Sequence, residues 1–462
     1  MSHAGPGKKS RRSFMATSLS AGAALWAAPA IVPATVLGAN GPGNRIQIGV
    51  IGVGRIARDH DMPGVWKHDL ARIIAVSDLD SKRLADGKKY VEAFYAKRTG
   101  QASHDVAMYG DYREMLSKPE IDAVVICTPD HWHAKPAIEA ALAGKDIYLE
   151  KPTSLTIAEG RAMSDAIHRT GRILQIGTQQ RSAAQFRVAC ELVRNGRIGE
   201  LKTVQVGLPV DPSGQVEPEM PVPPNLNYEM WLGSTPWVYY TEKRVHPQND
   251  YSRPGWLRCE QFGAGMITGW GVHHMDIAHW GMNMEYSGPV EIEGTAEFPK
   301  SGLWDVHGPY KIQAKYANGV TVFISDSYPN GIRFEGTAGW IFVTRGSYAA
   351  TSSDPVPAGR AQEALTASDP KILTPIGPNE IHLYESADHH GNWLESVKAR
   401  KQPICPVEVG HRSCSVCLVG HIAMKLNRKL YWDPAREHFK NDDQANSMLS
   451  RAQRWPWGVV ES

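Results

Sequence analysis

Short runs of apolar residues alternate with longer segments of helical periodicity between residues 45 and 180. Runs of this length that are apolar throughout are typical of strands buried on both faces of a parallel sheet. We predict strands at 46–51, 71–78, 121–127, 145–149 and 172–176, and helices at 55–67, 81–95, 157–170 and from residue 131 onward. This order predicts a Rossmann domain at 45–180, an α/β fold with a doubly wound parallel sheet.

After residue 180 the apolar runs give way to alternation of apolar and polar positions. A helix at 186–194 and a strand at 201–208 precede an irregular stretch at 209–259, rich in proline, tryptophan and tyrosine. Asn-Gly turns separate short strands at 311–316, 320–324, 332–334 and 340–344, and a loop at 348–378 and helices at 389–400 and 412–427 follow. We predict an α+β domain at 181–440, with a large, mostly antiparallel sheet covered by helices on one face, and a C-terminal tail at 441–462.

The first 39 residues have the pattern of an export signal. A basic head containing Arg11 and Arg12 precedes an apolar, alanine-rich stretch that proline interrupts. Twin arginines at this position are typical of signals read by the route that exports folded proteins. We therefore expect a periplasmic or otherwise exported protein without a stable membrane span, which binds any cofactor while folding and then retains it.

A glycine motif, G-x-G-x-x-A at 52–57, directly follows the first predicted strand. Gly52 permits a tight turn, the missing side chain of Gly54 lets backbone approach a pyrophosphate, and Ala57 lets the next helix pack closely. Asp78 ends the second predicted strand, where a carboxylate binds ribose hydroxyls and disfavours a 2′-phosphate. The motif predicts an NAD site, with NADP less favoured although two basic residues stand close behind Asp78.

Composition excludes some classes of protein. With 21% charged residues and a formal net charge of +2, the chain lacks the basic excess of a nucleic-acid-binding protein. Its six cysteines are scattered, which argues against a disulfide framework, and the Cys414-x-x-Cys417 pair is interpreted as buried small hydrophobes. The 14 tryptophans are suited either to stacking on sugars or to filling a core.

Three motifs together resemble the glucose–fructose oxidoreductase/inositol dehydrogenase/MocA family: G-x-G-x-x-A at 52–57, C-T-P-D-x-x-H at 127–133 and E-K-P at 150–152. The resemblance implies that Lys151 is the catalytic lysine beside the nicotinamide. A lysine desolvated at the end of a strand has a lowered pKa and can exchange a proton with a hydroxyl. The candidate cofactor-binding residues are Gly52, Gly54, Arg55, Ile56, Asp78, Thr128, Pro129, His133, Glu150 and Lys151.

The segment at 263–280 carries a second candidate catalytic residue. By the same resemblance His273, three residues before Asp276, is the catalytic histidine. The family often has an aspartate four residues before this histidine, where this chain has Gly269, so the usual Asp/Lys/His trio is incomplete. A metal site formed by His273, Asp276 and the neighbouring histidines is conceivable, but packing of those histidines is favoured, and no metal is predicted.

Seven further residues are candidates for contacting the substrate: Gln180, Arg181, Tyr228, Trp231, Trp256, Arg258 and Asp276. Arg181 follows the last predicted Rossmann strand, so its guanidinium is expected to reach hydroxyls near the nicotinamide. For the aromatic residues, packing in a core or a subunit interface is an equal alternative.

These features together predict an exported NAD(P)-dependent oxidoreductase that acts on a sugar, a sugar derivative or a cyclitol. An NAD-dependent glycosidase that works by transient oxidation, elimination and return of the hydride is the first alternative. A sugar- or cofactor-binding module without catalysis is the second. The large predicted sheet favours a homo-oligomer, either a dimer or a tetramer, and no nucleic acid partner is expected.

Overall fold

A computed structural model describes residues 45–103, 105–346 and 363–459. The predicted export signal at 1–39 and much of the loop predicted at 348–378 lie outside the described residues.

Six strands form an all-parallel sheet in the N-terminal half. They are β1 (Ile46–Ile51), β2 (Ala71–Ser77), β3 (Ala107–Tyr109), β4 (Ala123–Ile126), β5 (Asp146–Leu149) and β6 (Leu174–Ile176). The spatial order β3-β2-β1-β4-β5-β6 reverses between β1 and β4, which is where such sheets bind ligands. The sheet confirms the predicted doubly wound fold. Only the edge strand β3 was not predicted, because it is short, partly exposed and carries no apolar run.

The helices of this half are α1 (Met62–Trp66), α2 (Ser81–Thr99), α3 (Tyr112–Leu116), α4 (Ala134–Leu142) and α5 (Ile157–Thr170). Two of them begin differently from the prediction. A π-helix at Ala57–Asp61 runs into α1, and a 3₁₀ turn at Asp130–Trp132 precedes α4. The Asp80 carboxylate begins α2 by accepting hydrogen bonds from the amides of Lys82 and Arg83.

Nine strands form the second sheet. They are β7 (Leu201–Gly207), β8 (Glu291–Ala296), β9 (Tyr310–Lys315), β10 (Thr321–Ser325), β11 (Gly331–Gly336), β12 (Gly339–Val343), β13 (Leu365–Ala367), β14 (Leu430–Asp433) and β15 (His438–Phe439). Their order is β13-β12-β11-β7-β10-β9-β8-β14-β15, and only β7 and β10 pair in parallel. This confirms the mostly antiparallel sheet. The loop predicted at 348–378 is wrong in part, since β13 pairs with β12 inside it.

The helices of this half are α6 (Ala184–Arg194), α7 (Tyr228–Leu232), α8 (Met266–Gly269), α9 (Gly271–Met282), α10 (His389–Ala399), α11 (Val407–Leu426) and α12 (Asp443–Asn446). Short 3₁₀ turns lie at Gln179–Ser182, Gly255–Arg258 and Pro370–Leu373. Along β9, Ile312 and Ala314 are buried while Lys311 and Lys315 are exposed, as expected for helices on one face. The end of the chain packs back onto the domain, where the amide of Arg454 donates to the Ser234 carbonyl.

Apolar side chains fill both faces of the parallel sheet and the helix-covered face of the nine-stranded sheet. A further cluster lies within and beside the irregular stretch at 209–259 and includes Tyr228, Trp231 and Phe262. In the described part of the chain, none of the helices combines the length and the apolar character needed to cross a membrane.

Candidate active site

One cleft runs along the carboxyl ends of β1, β2, β4 and β5. Residues of the irregular stretch and of α8 and α9 close it from the second half of the chain. All ten predicted cofactor-binding residues lie on its wall, together with His273, Trp231 and Trp256. The fold therefore brings the sequence motifs to one place, as expected for parallel strands whose ends meet at one edge.

The glycine turn after β1 has room for a dinucleotide. Gly52 has a φ of +83°, and a Cβ there would lie 2.8 Å from the carbonyl oxygen of Cys127, so the turn requires glycine. A Cβ at Gly54 would meet only Nη1 of Arg83, at 3.8 Å, so the backbone there borders open space. A pyrophosphate needs this kind of close, unobstructed approach. The residues present therefore fit a dinucleotide.

Asp78 lies at the end of β2, between the glycine turn and α2. Its Oδ2 accepts a hydrogen bond from the amide of Val53 at 2.9 Å, and its Oδ1 accepts one from the amide of Asp80 at 2.9 Å. Burial raises the pKa of Asp78, and these two amides act in the opposite direction. The side chain also lines the cleft, so it is positioned both to hold the glycine turn and to meet ribose hydroxyls.

A strap from the second half of the chain, residues 246–254, crosses this end of the cleft. Nη2 of Arg83 donates to the carbonyl oxygens of Pro247 at 2.8 Å and Asp250 at 3.0 Å. The guanidinium groups of Arg58 and Arg83 both pack on the ring of Tyr251. The distance from the ring centre to the guanidinium carbon is 4.4 Å for Arg58 and 4.6 Å for Arg83. His246, Ser252, Arg253 and Pro254 of the strap line the cleft. A dinucleotide bound here would be covered by the strap.

Lys151 follows β5 and points across the cleft to the second half of the chain. Its Nζ donates to the carbonyl oxygen of Gly269 at 2.9 Å. Burial lowers the pKa of Lys151, while the negative charges of Glu150 and Asp130 oppose this effect. A backbone carbonyl thus holds the amine at the second half of the chain.

His273 lies in the first turn of α9, with 4% of its surface exposed. Among the described residues its Nδ1 has no hydrogen-bond partner, although the side chain lines the cleft. Burial lowers the pKa of His273, and the positive charges of Arg345 and Lys151 add to the effect. The imidazole is therefore neutral near pH 7 and available to a ligand.

Two buried carboxyl groups beside Lys151 have raised pKa values. Burial raises the pKa of Asp130 to about 7 and the pKa of Glu150 to about 8. Oε1 of Glu150 accepts a hydrogen bond from Nε2 of Gln179 at 2.7 Å. Glu150 was predicted only as a cofactor contact and Asp130 was not selected, because sequence alone does not show how deeply each is buried.

The structure places Arg181 and Asp276, which were predicted to contact the substrate, away from the cleft wall. Arg181 is 2% exposed, and its Nε and Nη2 donate to the two carboxylate oxygens of Asp276 at 2.6 and 2.9 Å. Nη1 donates to Glu285 at 2.8 Å, and the hydroxyl of Ser413 donates to Asp276 at 3.0 Å. The two side chains neutralise each other inside the protein, and neither lines the cleft.

Three other substrate candidates also lie away from the cleft wall. The hydroxyl of Tyr228 donates to the carbonyl oxygen of Val238 at 3.0 Å. The Gln180 amide lies 3.3 Å from Nδ1 of His274, and Arg258 packs over Trp304. Buried packing therefore accounts for residues whose polar ends were expected to reach a sugar. Trp231 and Trp256 remain on the wall.

Sequence reasoning missed three residues at the Lys151 end of the cleft: Arg253, Trp270 and Arg345. The Arg345 guanidinium lies 4.4 Å from the centre of the Trp270 ring. Arg253 comes from the irregular stretch and Arg345 from the chain after β12, where no periodic signal marks a residue as functional. The one available signal was the density of tryptophan around 256–280.

Replacing Gly269 by aspartate is expected to shift the pH profile of activity to higher pH. A Cβ at Gly269 would meet no atom within 4 Å, so there is room for a side chain to begin there, and the negative charge of an aspartate would raise the pKa of Lys151. For the hydroxyl oxidation expected from the sequence, which needs the neutral amine, the rising limb of kcat against pH should shift to higher pH. Gly269→Asn is the matched uncharged control. An unchanged profile in Gly269→Asp would show that Lys151 does not control this limb.

Comparison with known proteins agrees with the fold and the cleft. Residues 46–178 match the profile described as "Oxidoreductase family, NAD-binding Rossmann fold". Residues 212–351 and 370–459 match the profile described as "Oxidoreductase family, C-terminal alpha/beta domain" of the same family. The chain is 30% identical to a myo-inositol 2-dehydrogenase from Thermotoga maritima over 183 residues, which is 40% of this chain and 48% of that protein. The alignment thus spans about half the length of that relative.

Two solved structures resemble the fold over 84% of the chain. One is an aldose-aldose oxidoreductase from Caulobacter crescentus complexed with glycerol, with a TM-score of 0.56, 20% identity and 99% of that chain covered. The other is the WlbA dehydrogenase from Bordetella pertussis in complex with NADH and UDP-GlcNAcA, with a TM-score of 0.59, 17% identity and 98% covered. The two profiles, taken with the glycine turn and the Lys151 loop, show that the chain belongs to the Gfo/Idh/MocA oxidoreductase family.

Proposed function

We propose that the protein is an exported NAD-dependent oxidoreductase that moves a hydride between a tightly bound nicotinamide cofactor and a hydroxyl-bearing carbon of a sugar, sugar derivative or cyclitol. One observation carries the proposal: the Lys151 amine and the His273 imidazole line the same cleft as the glycine turn and Asp78. Bound NAD would supply the hydride acceptor. The names of the compared proteins, which include inositol and sugar enzymes, favour this substrate class.

The side chains have separate tasks in this reaction. Lys151, held by the Gly269 carbonyl and with a lowered pKa, takes the proton of the substrate hydroxyl. The Nδ1 of His273 is available to orient that hydroxyl or to share its proton. Trp256, which is only partly buried on the cleft wall, offers an apolar surface to the C–H groups of a sugar ring. For the reverse reaction the same groups return the proton.

The strap supports the proposal of a retained cofactor. An exported protein meets little free NAD, so its cofactor must be bound before export and regenerated in place. The contacts of Arg83 and Tyr251 hold the strap over the dinucleotide end, and release would require breaking them. The Asp78 carboxylate favours NAD over NADP because it repels a 2′-phosphate.

A glycosidase is the second candidate function. Oxidation at one sugar carbon acidifies the neighbouring C–H bond, which allows the aglycone to be eliminated. Water then adds to the resulting double bond, and the hydride is returned to the oxidised carbon. This cycle regenerates a retained cofactor without a second substrate, and Asp130 and Glu150, whose pKa values are raised by burial, lie beside Lys151 as candidate acids for the leaving group. Incubation with aryl glycosides distinguishes the two: a glycosidase releases phenol without an acceptor, whereas an oxidoreductase consumes a reducible sugar.

Denatured wild-type protein is expected to release about one NAD(H) per chain, as for a retained dinucleotide in a covered Rossmann site. Mass spectrometry of the released nucleotide identifies it and gives the stoichiometry. Tyr251→Ala opens the strap without altering the cleft wall, so it should purify with less nucleotide. Tyr431→Ala, at an exposed tyrosine remote from the strap, is the control. Equal amounts of bound nucleotide in all three proteins would show that the strap does not retain the cofactor.

A panel of sugars, sugar acids and inositols, monitored by cofactor absorbance, then identifies the substrate. If nucleotide is bound but no compound changes its redox state, the protein is a binding module without catalysis.

Export is tested by fractionating cells that produce the full chain and an Arg11→Lys/Arg12→Lys variant, which should stay in the cytoplasm. Light scattering tests the proposed homo-oligomer, for which the uncovered face of the nine-stranded sheet offers a contact surface.

A further inference from the structure

Two histidines and an aspartate meet behind the wall of the cleft, and we name His60, Asp61 and His390 the HDH cluster. Nδ1 of His60 and Nε2 of His390 each lie 3.0 Å from Oδ1 of Asp61. The three candidate ligand atoms all lie within 4.8 Å of one another. Asp61 has no exposed surface and His390 is 4% exposed, so the cluster is closed to bulk water apart from one side of His60.

The local fold is built around this cluster. The π-helix at Ala57–Asp61 places His60 and Asp61 on its last turn, and π-turns within helices often mark functional sites. A Cβ at Gly64 would lie 2.3 Å from the His390 ring, so only glycine leaves room for that histidine. The ring of Tyr148 stacks on His390 with 4.5 Å between ring centres. The arrangement is therefore tightly constrained from three elements.

The donor atoms match those of a transition-metal site. Two imidazoles and one carboxylate that leave other positions open form a common set of ligands for divalent transition metals. The thiol of Cys127 donates a hydrogen bond to Oδ2 of Asp61 at 2.9 Å and helps to hold that carboxylate in place.

We propose that the HDH cluster binds one divalent transition-metal ion, with Zn²⁺ as the reference metal. This site is separate from the substrate groups, since Lys151 and His273 belong to neither its ligands nor their hydrogen bonds. It joins the helix that follows the glycine turn to α10, which comes from the other end of the chain. The ion would fix the position of that helix and so support dinucleotide binding.

Metal analysis of the full chain, purified without a metal-affinity step, tests the proposal independently of activity. We expect about one equivalent of transition metal per chain, and chelator-treated protein that rebinds ZnCl₂ in calorimetry with a rise in Tm. His390→Gln should weaken Zn²⁺ binding by more than about 100-fold. Loss of a residue that only hydrogen-bonds to a metal ligand costs up to about that much, and loss of a ligand should cost more.

His68→Gln is the matched control, because the His68 ring nitrogen lies 2.8 Å from Asp388 and so joins the same two segments beside the cluster. It should lower Tm but bind ZnCl₂ like wild type. If His390→Gln does not fold, His60→Gln replaces it, since that side chain lies at the edge of the cluster. Metal-free wild type that also fails to bind added ZnCl₂, MnCl₂ or CoCl₂ would overturn the proposal and leave a hydrogen-bonded His–Asp–His group.

Discussion

Lys151→Ala is expected to abolish hydride transfer while the nucleotide stays bound. The substitution removes the amine that Gly269 holds in the cleft, but it leaves the glycine turn, Asp78 and the strap intact. Loss of a positioned general base typically costs about 10²- to 10⁴-fold in rate. Single-turnover reduction of bound cofactor measures the loss in kcat, and mass analysis of released nucleotide measures occupancy.

Lys145→Met is the matched control for this prediction. Lys145 is also a buried lysine whose pKa burial lowers, but its Nζ donates to the carbonyl oxygens of Lys118 and Ile121, away from the cleft. It should lose stability and keep kcat. Lys151→Arg adds a second test, because it keeps the charge but cannot give up a proton. Normal turnover in Lys151→Ala would show that Lys151 does not take the proton of the hydroxyl, and it would contradict the proposed function.

Arg181→Met is expected to destabilise the protein by about 3 to 5 kcal/mol, the usual cost of removing one partner from a buried ion pair. Asp276 would remain buried with its charge uncompensated, since only the Ser413 hydroxyl is left to it among the contacts described above. Urea unfolding of wild type and variant measures the change in the free energy of unfolding. Residual folded protein should keep its KM for substrate.

Lys202→Ala provides the control for an ion pair at the surface. Lys202 and Glu200 lie 2.6 Å apart with half or more of each side chain exposed, and such pairs contribute about 0 to 1 kcal/mol. The opposite pattern in Arg181→Met, a raised KM with unchanged stability, would restore the original interpretation of Arg181 as a substrate contact. A large loss of stability together with an unchanged KM agrees with the buried pair.

The cofactor half of the protein was largely predictable from its sequence. The turn at Gly52 depends on a local signal, because only glycine tolerates its backbone conformation. The ends of the strands before Asp78 and Lys151 are also marked locally, by apolar runs that stop at a polar residue. Parallel strands then bring these ends together without further information. The Rossmann sheet and the set of cleft-lining motifs follow from such signals.

The sequence could not determine which polar residues face the cleft in the second half. Arg181 and Asp276 are separated by 95 positions, and whether an arginine meets a carboxylate or a ligand depends on packing between helices and turns that no periodicity records. The same holds for the strap and for His60 and His390, which are 330 residues apart. Local residue chemistry thus determined where a nucleotide binds, whereas long-range packing alone decided which charges are neutralised internally and which remain for a substrate or an ion.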